Sequence, residues 1–314
     1  MSARGLIRVV PLFVVCISTA FGQLPKRVEK CLPYPTLAQE IREMRPADPA
    51  PPRVSVRVIH VEFDSKDDIP PDVREEISAE LRSHVFERDA DAAYLDDLAN
   101  EIAEVSARET LQDRGYFTVT TAAKLVAIQS EGGEVSVAAI ISAKTGPQYR
   151  AGDIRIESAD TGFPLGMPPE VLRGLIPLQR AELFNVGKVR EGLKNLAAAY
   201  GREGYVDMTT EPDFQIDEAH ETIDMVLKID HQAQYRVGGI EFLGVNTVTR
   251  EKLMKSLPKP GEVFDGTLLE EFFTVNRAIL PSDASRDDVN VKRDPKSKTV
   301  AILFDFRTCP PPSN

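Results

Sequence analysis

The chain contains an internal repeat, and this repeat limits the folds that the sequence can adopt. The segment 149–154 (YRAGDI) matches the segment 235–240 (YRVGGI), and 182–185 (ELFN) matches 262–265 (EVFD). The two matches are offset by 86 and 80 residues. Two anchors at a nearly constant offset indicate tandem copies of one structural unit, as in repeat architectures.

Each of these copies is predicted to run strand, helix, loop, helix. In the later copy, residues 235–242 form the strand, the first helix ends at Pro258, and Asp265 is the predicted N-cap of the second helix. Spacings of four, three and four predict one apolar helical face. That face comprises Leu268, Phe272, Val275 and Ile279. After Asn185, the predicted cap in the earlier copy, the same spacing gives Val189, Leu193, Leu196 and Tyr200.

A third and less similar copy precedes these two. Residues 54–63 are predicted to form a strand, and Pro70 and Pro71 open a helix. A longer helix closes at Gly115, which suits the left-handed residue that follows many helix ends. Its predicted apolar face comprises Leu95, Leu98, Ile102 and Val105. Hairpins complete the copies at 117–143, 206–229 and 289–306, the last of them short.

The repeated unit resembles the POTRA domain, the β-α-α-β-β module of the outer-membrane assembly superfamily that includes BamA and TamA. The likeness rests on a strand pattern, a loop between the helices and a helix ending in Gly204–Tyr205. The strand pattern is Gly239, Ile240, Phe242 and Gly244, and the loop runs from Leu257 through Gly261 to Phe264 and Asp265. An unrelated α+β repeat is the alternative.

The resemblance implies an α+β fold built as a tandem array of three POTRA-like modules. Each module is expected to be a three-stranded mixed sheet backed by two helices. We predict module one at 54–148, module two at 149–234 and module three at 235–308. The six residues 309–314 form a tail, which is too short for the strands of a membrane barrel, so we expect no barrel in this chain.

The first 22 residues are predicted to be a secretory signal peptide. They combine a basic start at Arg4 and Arg8, an apolar core at 6–17 and a small-residue cleavage site at 20–22. Cys16 lies within this segment, but Val14 and Val15 before it do not fit a lipidation site. Residues 23–53 form a proline-rich arm, with a short helix from Thr36 that we expect to pack on a module or on a partner.

Net charge and hydropathy exclude several classes of partner. Without the two signal-peptide arginines, 36 basic and 49 acidic residues give a formal charge of −13. An acidic chain does not suit the phosphates of nucleic acids or simple adsorption to anionic lipids. No later stretch is apolar enough for a transmembrane segment in the mature chain. Together with the resemblance, the signal predicts export to the periplasm or to the periplasmic face of the outer membrane.

Two cysteines remain after cleavage of the signal, Cys31 and Cys309. In an oxidising compartment pairing is the expected state. The arm could span up to roughly 70 Å at about 3.1 Å per residue. A bridge within one chain is therefore predicted, and a bridge between chains is the alternative.

The sequence contains no recognisable catalytic or metal-binding set, and no cofactor is expected. None of the four histidines, His60, His84, His220 and His231, shares metal-ligand spacing with another. His60 alternates with apolar residues, which favours a half-buried structural histidine. The acidic segment 64–68 lacks the glycine turn and the terminal glutamate of a calcium loop, and the acidic residues of 96–104 lie on the polar face of a predicted helix. We interpret both as solvated surface.

Recognition of other proteins is the remaining function, and the protein is predicted not to be an enzyme. The resemblance implies that the second strand of a module is an open edge, which offers unpaired backbone groups to an incoming strand. The candidate strands are 117–128 and 206–216, with Thr118, Thr120, Thr209 and Thr210 as contact residues. The predicted partners are envelope or outer-membrane proteins, including a barrel-bearing assembly protein. A structural adaptor that spaces an envelope complex is the alternative, and a secreted hydrolase is disfavoured.

Overall fold

The computed structural model describes residues 52–64, 68–160 and 164–307, which form three consecutive α+β modules. The predicted signal peptide, most of the proline-rich arm, Cys31, Cys309 and the tail lie outside these residues. The predicted fold class is confirmed, because three separate mixed sheets follow one another along the chain.

Module one differs from the other two in carrying a fourth strand. Its sheet has the order β2-β1-β4-β3, with β1 parallel to β4 and the neighbouring pairs antiparallel. Its elements are β1 (Arg53–Phe63), α1 (Pro71–Ser83), β2 (Val85–Asp89), α2 (Tyr94–Glu101), a π-helical continuation (Ile102–Arg108), α3 (Glu109–Asp113), β3 (Thr120–Glu131) and β4 (Glu134–Lys144). The prediction of three strands missed β2, whose five residues VFERD lack a strong apolar alternation.

Modules two and three have three strands each, in the orders β5-β7-β6 and β8-β10-β9. Module two comprises β5 (Arg150–Ser158), α4 (Pro169–Gly174), α5 (Val186–Arg202), β6 (Thr209–Asp217) and β7 (Thr222–Asp230). Module three comprises β8 (Arg236–Leu243), α6 (Thr247–Met254), α7 (Leu268–Val275), a short 3₁₀ turn (Arg286–Asp288), β9 (Val289–Asp294) and β10 (Thr299–Asp305). In both sheets the last strand lies in the centre, so the strand before it is left at an edge.

Each module has its own hydrophobic core between its sheet and its helices. In module two, for example, Tyr200 of α5 is fully buried and its hydroxyl donates to the backbone oxygen of Leu165. The strands supply every second residue to this core, as Ile223, Met225 and Leu227 do from β7. Burial of an apolar face on both layers is what stabilises such a two-layer unit.

The predicted apolar face of the last helix is partly wrong. Val275 and Ile279 are exposed, by 72% and 37% of their surface, and the buried residues include Leu269 and Asn276. Asn276 is tolerated there because its side-chain amide donates to the Phe272 backbone oxygen and to the Ser256 hydroxyl, at 2.9 and 2.8 Å. A buried polar residue is not found by a search for apolar spacing.

The face predicted for the long helix of module one is also displaced. Val105 is half exposed, whereas Ala103 and Ala107 are buried. The π-helical segment widens the turn, so residues beyond Ile102 no longer follow the 3.6-residue period. Of the two predicted N-caps, Asn185 is confirmed, because its side chain accepts from the Lys188 amide at 2.7 Å. The prediction of Asp265 is wrong, because α7 begins later, with Thr267 at the N-cap position. Asp265 accepts from the Thr267 amide at 2.8 Å, in a turn just before α7 begins.

Candidate protein-binding edges and module junctions

β3 is the long open edge of module one. It pairs with β4 on one side, and no strand among the described residues pairs with its other side. The pairing is regular from Thr120 to Ala127 and shifts at a bulge before Gln129. Such an edge presents backbone N–H and C=O groups that can bind an added strand.

β6 is the corresponding edge of module two, and its chemistry is different. It pairs with β7 without a register shift. Pro212 lies in its middle and is flanked by Glu211 and Asp213. Proline lacks a backbone donor, and both proline and charged side chains protect natural edge strands from added strands.

The structure places the four predicted threonines in three different settings. Thr120 and Thr209 are exposed at the first positions of the two edge strands. Thr210 is half-buried on the helix-facing side of β6. Thr118 precedes β3 and its hydroxyl bonds the side chain of Tyr149, the first residue of the next module. Its assignment to the edge strand was therefore wrong, because β3 begins at Thr120.

The face of each sheet that points away from its helices also differs between the modules. In module one, Val126, Ile128 and Ile140 are exposed by 42%, 55% and 38%. The row across this face pairs Val126 with Ala138, and the next row pairs Lys124 with Ile140. In the equivalent rows of module two the edge strand carries carboxylates, with Asp213 opposite the buried Val226 and Glu211 opposite Lys228. In module one an exposed aliphatic surface therefore lies next to the open edge strand β3. In module two the surface next to β6 carries charged residues instead.

Modules one and two meet at a junction of backbone and side-chain hydrogen bonds. The Tyr149 amide donates to the Gly115 oxygen at 2.8 Å, and the Gln148 side chain donates to the Arg114 oxygen at 2.7 Å. Gly115 has a φ of +91°, and a Cβ there would lie 3.0 Å from the Tyr149 oxygen. Glycine is thus required both by the backbone conformation and by the close approach.

Side chains of the two modules also contact each other at this junction, through aromatic packing, a hydrogen bond and an ion pair. The Phe117 ring packs against Phe184 and Phe214 of module two, with both centroids 5.2 Å away. Asp113 accepts from the Gly187 amide at 2.6 Å, and Arg190 pairs with Glu109 at 2.9 Å. Phe117 therefore belongs to the hydrophobic core of the following module.

The junction between modules two and three repeats the same backbone arrangement. The Tyr235 amide donates to the Gly204 oxygen at 2.9 Å, and the Gln234 side chain donates to the Glu203 oxygen at 2.8 Å. The Tyr235 hydroxyl donates to Asp207 at 2.6 Å, and Asp207 also pairs with Arg293. Burial, followed by the bond to Asp207, raises the pKa of Tyr235 to about 12.

The contacts between modules were not predicted from the sequence, although the repeat contains matched residues that form them. Gln148–Tyr149 and Gln234–Tyr235 are matched dipeptides, and each donates hydrogen bonds to the end of the preceding helix, at Gly115 or Gly204. Thr118 and Asp207 each lie three residues after that glycine. The repeat thus encodes the contacts between modules as well as the modules.

Among the described residues, no group of three or more His, Cys, Asp or Glu side chains could hold a metal ion. His60 is exposed and bonds Glu62 at 3.0 Å, so its interpretation as a half-buried histidine was wrong. The β-bulge after Val58 turns it to the open side of the sheet. The His220 ring lies 2.8 Å from Asp217 and holds the pKa of that carboxyl below its usual value. Within the part of the chain that the structure describes, no helix is long and apolar enough to cross a membrane.

Comparison with known proteins identifies the module type. Residues 149–232 match the POTRA family model, described as a surface antigen variable number repeat. The structure is similar to POTRA domains 3–5 of BamA from Haemophilus influenzae, with 15% identity, a TM-score of 0.57, and coverage of 82% of this chain and 97% of that one. POTRA domains 1–3 of Omp85 from Anabaena also match, with 17% identity, a TM-score of 0.32, and coverage of 81% and 95%. No curated protein matches the chain.

The family match covers module two, and the BamA likeness extends the fold to the neighbouring modules. Module two has the three-stranded mixed sheet and the glycine-ended second helix that the sequence predicts. Residues 149–232 are therefore a POTRA domain, and the chain has the fold of a tandem array of POTRA modules.

Proposed function

We propose that this protein is an exported, non-enzymatic scaffold of the periplasm that binds other proteins during outer-membrane assembly. POTRA domains occur in BamA and Omp85, and the predicted signal peptide agrees with a periplasmic location. The proposed partners are extended strands of envelope or outer-membrane proteins, or a barrel-bearing assembly protein.

The observation that carries the proposal is the open first strand of the hairpins in modules one and two. Within the described residues, β3 and β6 each pair on one side and have no strand on the other, and Thr120 and Thr209 are exposed at their beginnings. Strand addition needs no preformed pocket, because main-chain hydrogen bonds provide the affinity. A protein that works in this way requires neither a metal nor a catalytic group.

Site-specific photocrosslinking in intact envelopes tests this function. A photoreactive residue is placed at Thr120, at Thr209 or, as the control, at the exposed helix residue Glu104. We expect protein adducts from the strand positions and none from Glu104. Adducts from Glu104 alone would contradict strand addition.

A structural adaptor is the second candidate, and the hydrogen-bonded junctions favour it. Two successive junctions repeat the same backbone bonds, which would hold the modules at fixed spacing. An adaptor requires this spacing but no open edge. Crosslinks confined to helix faces, with no adduct at Thr120 or Thr209, would support the adaptor over the strand-binding scaffold.

A further inference from the structure

We infer that β3, and not β6, is the strand-accepting edge, and that it selects a client strand with aliphatic side chains along one face. This inference rests on the proposed strand-binding function and assigns its edge and its ligand chemistry. It follows from a position-by-position comparison of two edges that the same chain builds on the same fold.

Three residues in the middle of each edge decide the comparison. Lys124, Leu125 and Val126 of β3 lie opposite Ile140, Ala139 and Ala138 of β4. In module two the residues at the same places in the ladder are Glu211, Pro212 and Asp213, opposite Lys228, Leu227 and Val226. The places match because Ile140 and Lys228 are both the seventh residues of their central strands.

β6 lacks a backbone hydrogen-bond donor at a place where β3 has one. Pro212 has no N–H, and proline is tolerated in edge strands where that group would face solvent. The stretch Thr120–Ala127 contains no proline and no carboxylate, and it stays in register for eight residues before the bulge. Such a stretch lets an added strand pair along its full length.

Side chains reinforce the difference. At the matched places on the open sheet face, β3 carries Ala122, Lys124 and Val126, whereas β6 carries Thr209, Glu211 and Asp213. Cross-strand partners stabilise a sheet when they are apolar together or oppositely charged. A client strand on β3 therefore gains from aliphatic residues beside Ala122 and Val126, and a strand on β6 would place the same residues against carboxylates.

The corresponding edge in module three offers less. β9 is only six residues long, and Arg293 near its end is engaged with Asp207 of module two. Its aliphatic residues Val289 and Val291 are half-buried and buried. Of the edge strands β3, β6 and β9, β3 thus combines length, a continuous series of backbone donors and an exposed aliphatic row.

Exchange of the two triplets tests the inference in the full-length protein. One variant, Lys124→Glu with Val126→Asp, gives β3 the charges of β6 and leaves the buried Leu125 unchanged. The reciprocal variant, Glu211→Lys, Pro212→Leu and Asp213→Val, gives β6 the triplet of β3. Thermal unfolding of both variants checks that the modules remain folded.

The probe is a synthetic peptide of eight alternating valine and threonine residues with a lysine at each end. A second peptide has serine in place of every valine. A photoreactive residue at Ala122 or at Thr209, which are matched positions opposite Ser142 and Asp230, reports which edge the peptide occupies. We expect adducts of the valine peptide at Ala122, at least about fivefold weaker adducts of the serine peptide, and little reaction at Thr209.

We expect the exchanged residues to shift peptide binding from β3 to β6. The charged β3 variant should lose the Ala122 adduct by at least about fivefold, and the reciprocal variant should gain one at Thr209. The gain at β6 keeps the test decisive even where the β3 variant proves unstable. Equal adducts at both edges of the parent protein, or an exchange without effect, would overturn the choice of edge and leave the proposed function standing. Absence of an adduct at both Ala122 and Thr209 would overturn strand binding at these two edges, and with it the observation on which the proposed function rests.

Discussion

The two junctions between modules share one backbone arrangement but differ in their side-chain contacts. Both have a tyrosine amide bonded to a glycine oxygen, at 2.8 Å for Tyr149 and 2.9 Å for Tyr235. The first adds an aromatic ring, Phe117, that packs on two phenylalanines of the next module. The second has Val206 at that place and relies on Asp207, which bonds the Tyr235 hydroxyl and pairs with Arg293.

This difference indicates how strongly each pair of modules is coupled. Buried aromatic area contributes more to stability than a partly exposed ion pair. We therefore expect modules one and two to be coupled chiefly by apolar contact, and modules two and three by polar bonds that respond to pH. The predictions below test this comparison, beginning with the largest expected effect.

Phe117→Ala removes the ring that enters the core of module two. We expect the free energy of unfolding to fall by about 3 kcal/mol, because a large aromatic side chain is deleted from a packed site. Val206→Ala, the matched change at the second junction, should lower it by about 1 kcal/mol. Urea denaturation measures both. Equal losses would mean that the two junctions do not differ in apolar coupling.

Gly115→Ala strains the first junction through the backbone. The residue has a φ of +91°, and the new Cβ would lie 3.0 Å from the Tyr149 oxygen. We expect a loss of about 2 kcal/mol in the free energy of unfolding. Gly132→Ala is the control, since that glycine has a φ of +58° but no atom within 4 Å of its Cβ. A loss no larger than that of the control would show that the close approach does not matter.

Tyr235→Phe removes one hydroxyl from the second junction. We expect a loss of about 1 kcal/mol, because Asp207 loses a hydrogen-bond donor and keeps Arg293. Tyr149→Phe removes the matched hydroxyl, whose partner is the exposed and neutral Thr118, and should cost less. Thermal unfolding followed by circular dichroism compares the two variants. A greater loss at Tyr149 would contradict the polar character of the second junction.

Alkaline pH should weaken the second junction in a way that depends on Tyr235. The folded protein holds the pKa of this phenol at about 12, above the ordinary value of 10.0. Its stabilising contribution is therefore present below about pH 10 and is lost as the pH rises toward 12. The decline in unfolding free energy between pH 9 and 11 should be smaller in Tyr235→Phe than in the parent. Identical slopes would exclude a contribution from this tyrosine.

Several parts of the fold could be predicted from the sequence because local chemistry specifies them. Asn185 caps α5 as expected, since its side chain reaches the third amide of the helix. Gly115 ends the second helix of module one with a positive φ, because only glycine adopts that conformation without cost. The central strand of module one alternates strictly between core and open face, because its period of two residues is set locally.

Other parts depended on partners that lie far away in the sequence. β2 pairs with residues about 30 positions earlier, and its five residues contain no pattern that predicts a strand. Val275 has the spacing of a core residue but is exposed, because Leu269 and Asn276 turn toward the sheet. Thr118 reads as the beginning of an edge strand, yet its bond to Tyr149 assigns it to the junction.

The sequence by itself determined the repeat, the α+β module and the family that it resembles, because caps, glycines and apolar periods act over a few residues. Only the tertiary structure decided which sheet face is aliphatic and which side chains bind each module to the next. These properties depend on the register between strands and on contacts across module boundaries. They arise when residues 70 to 90 positions apart, such as Asp113 and Gly187 or Asp207 and Arg293, are brought together by folding.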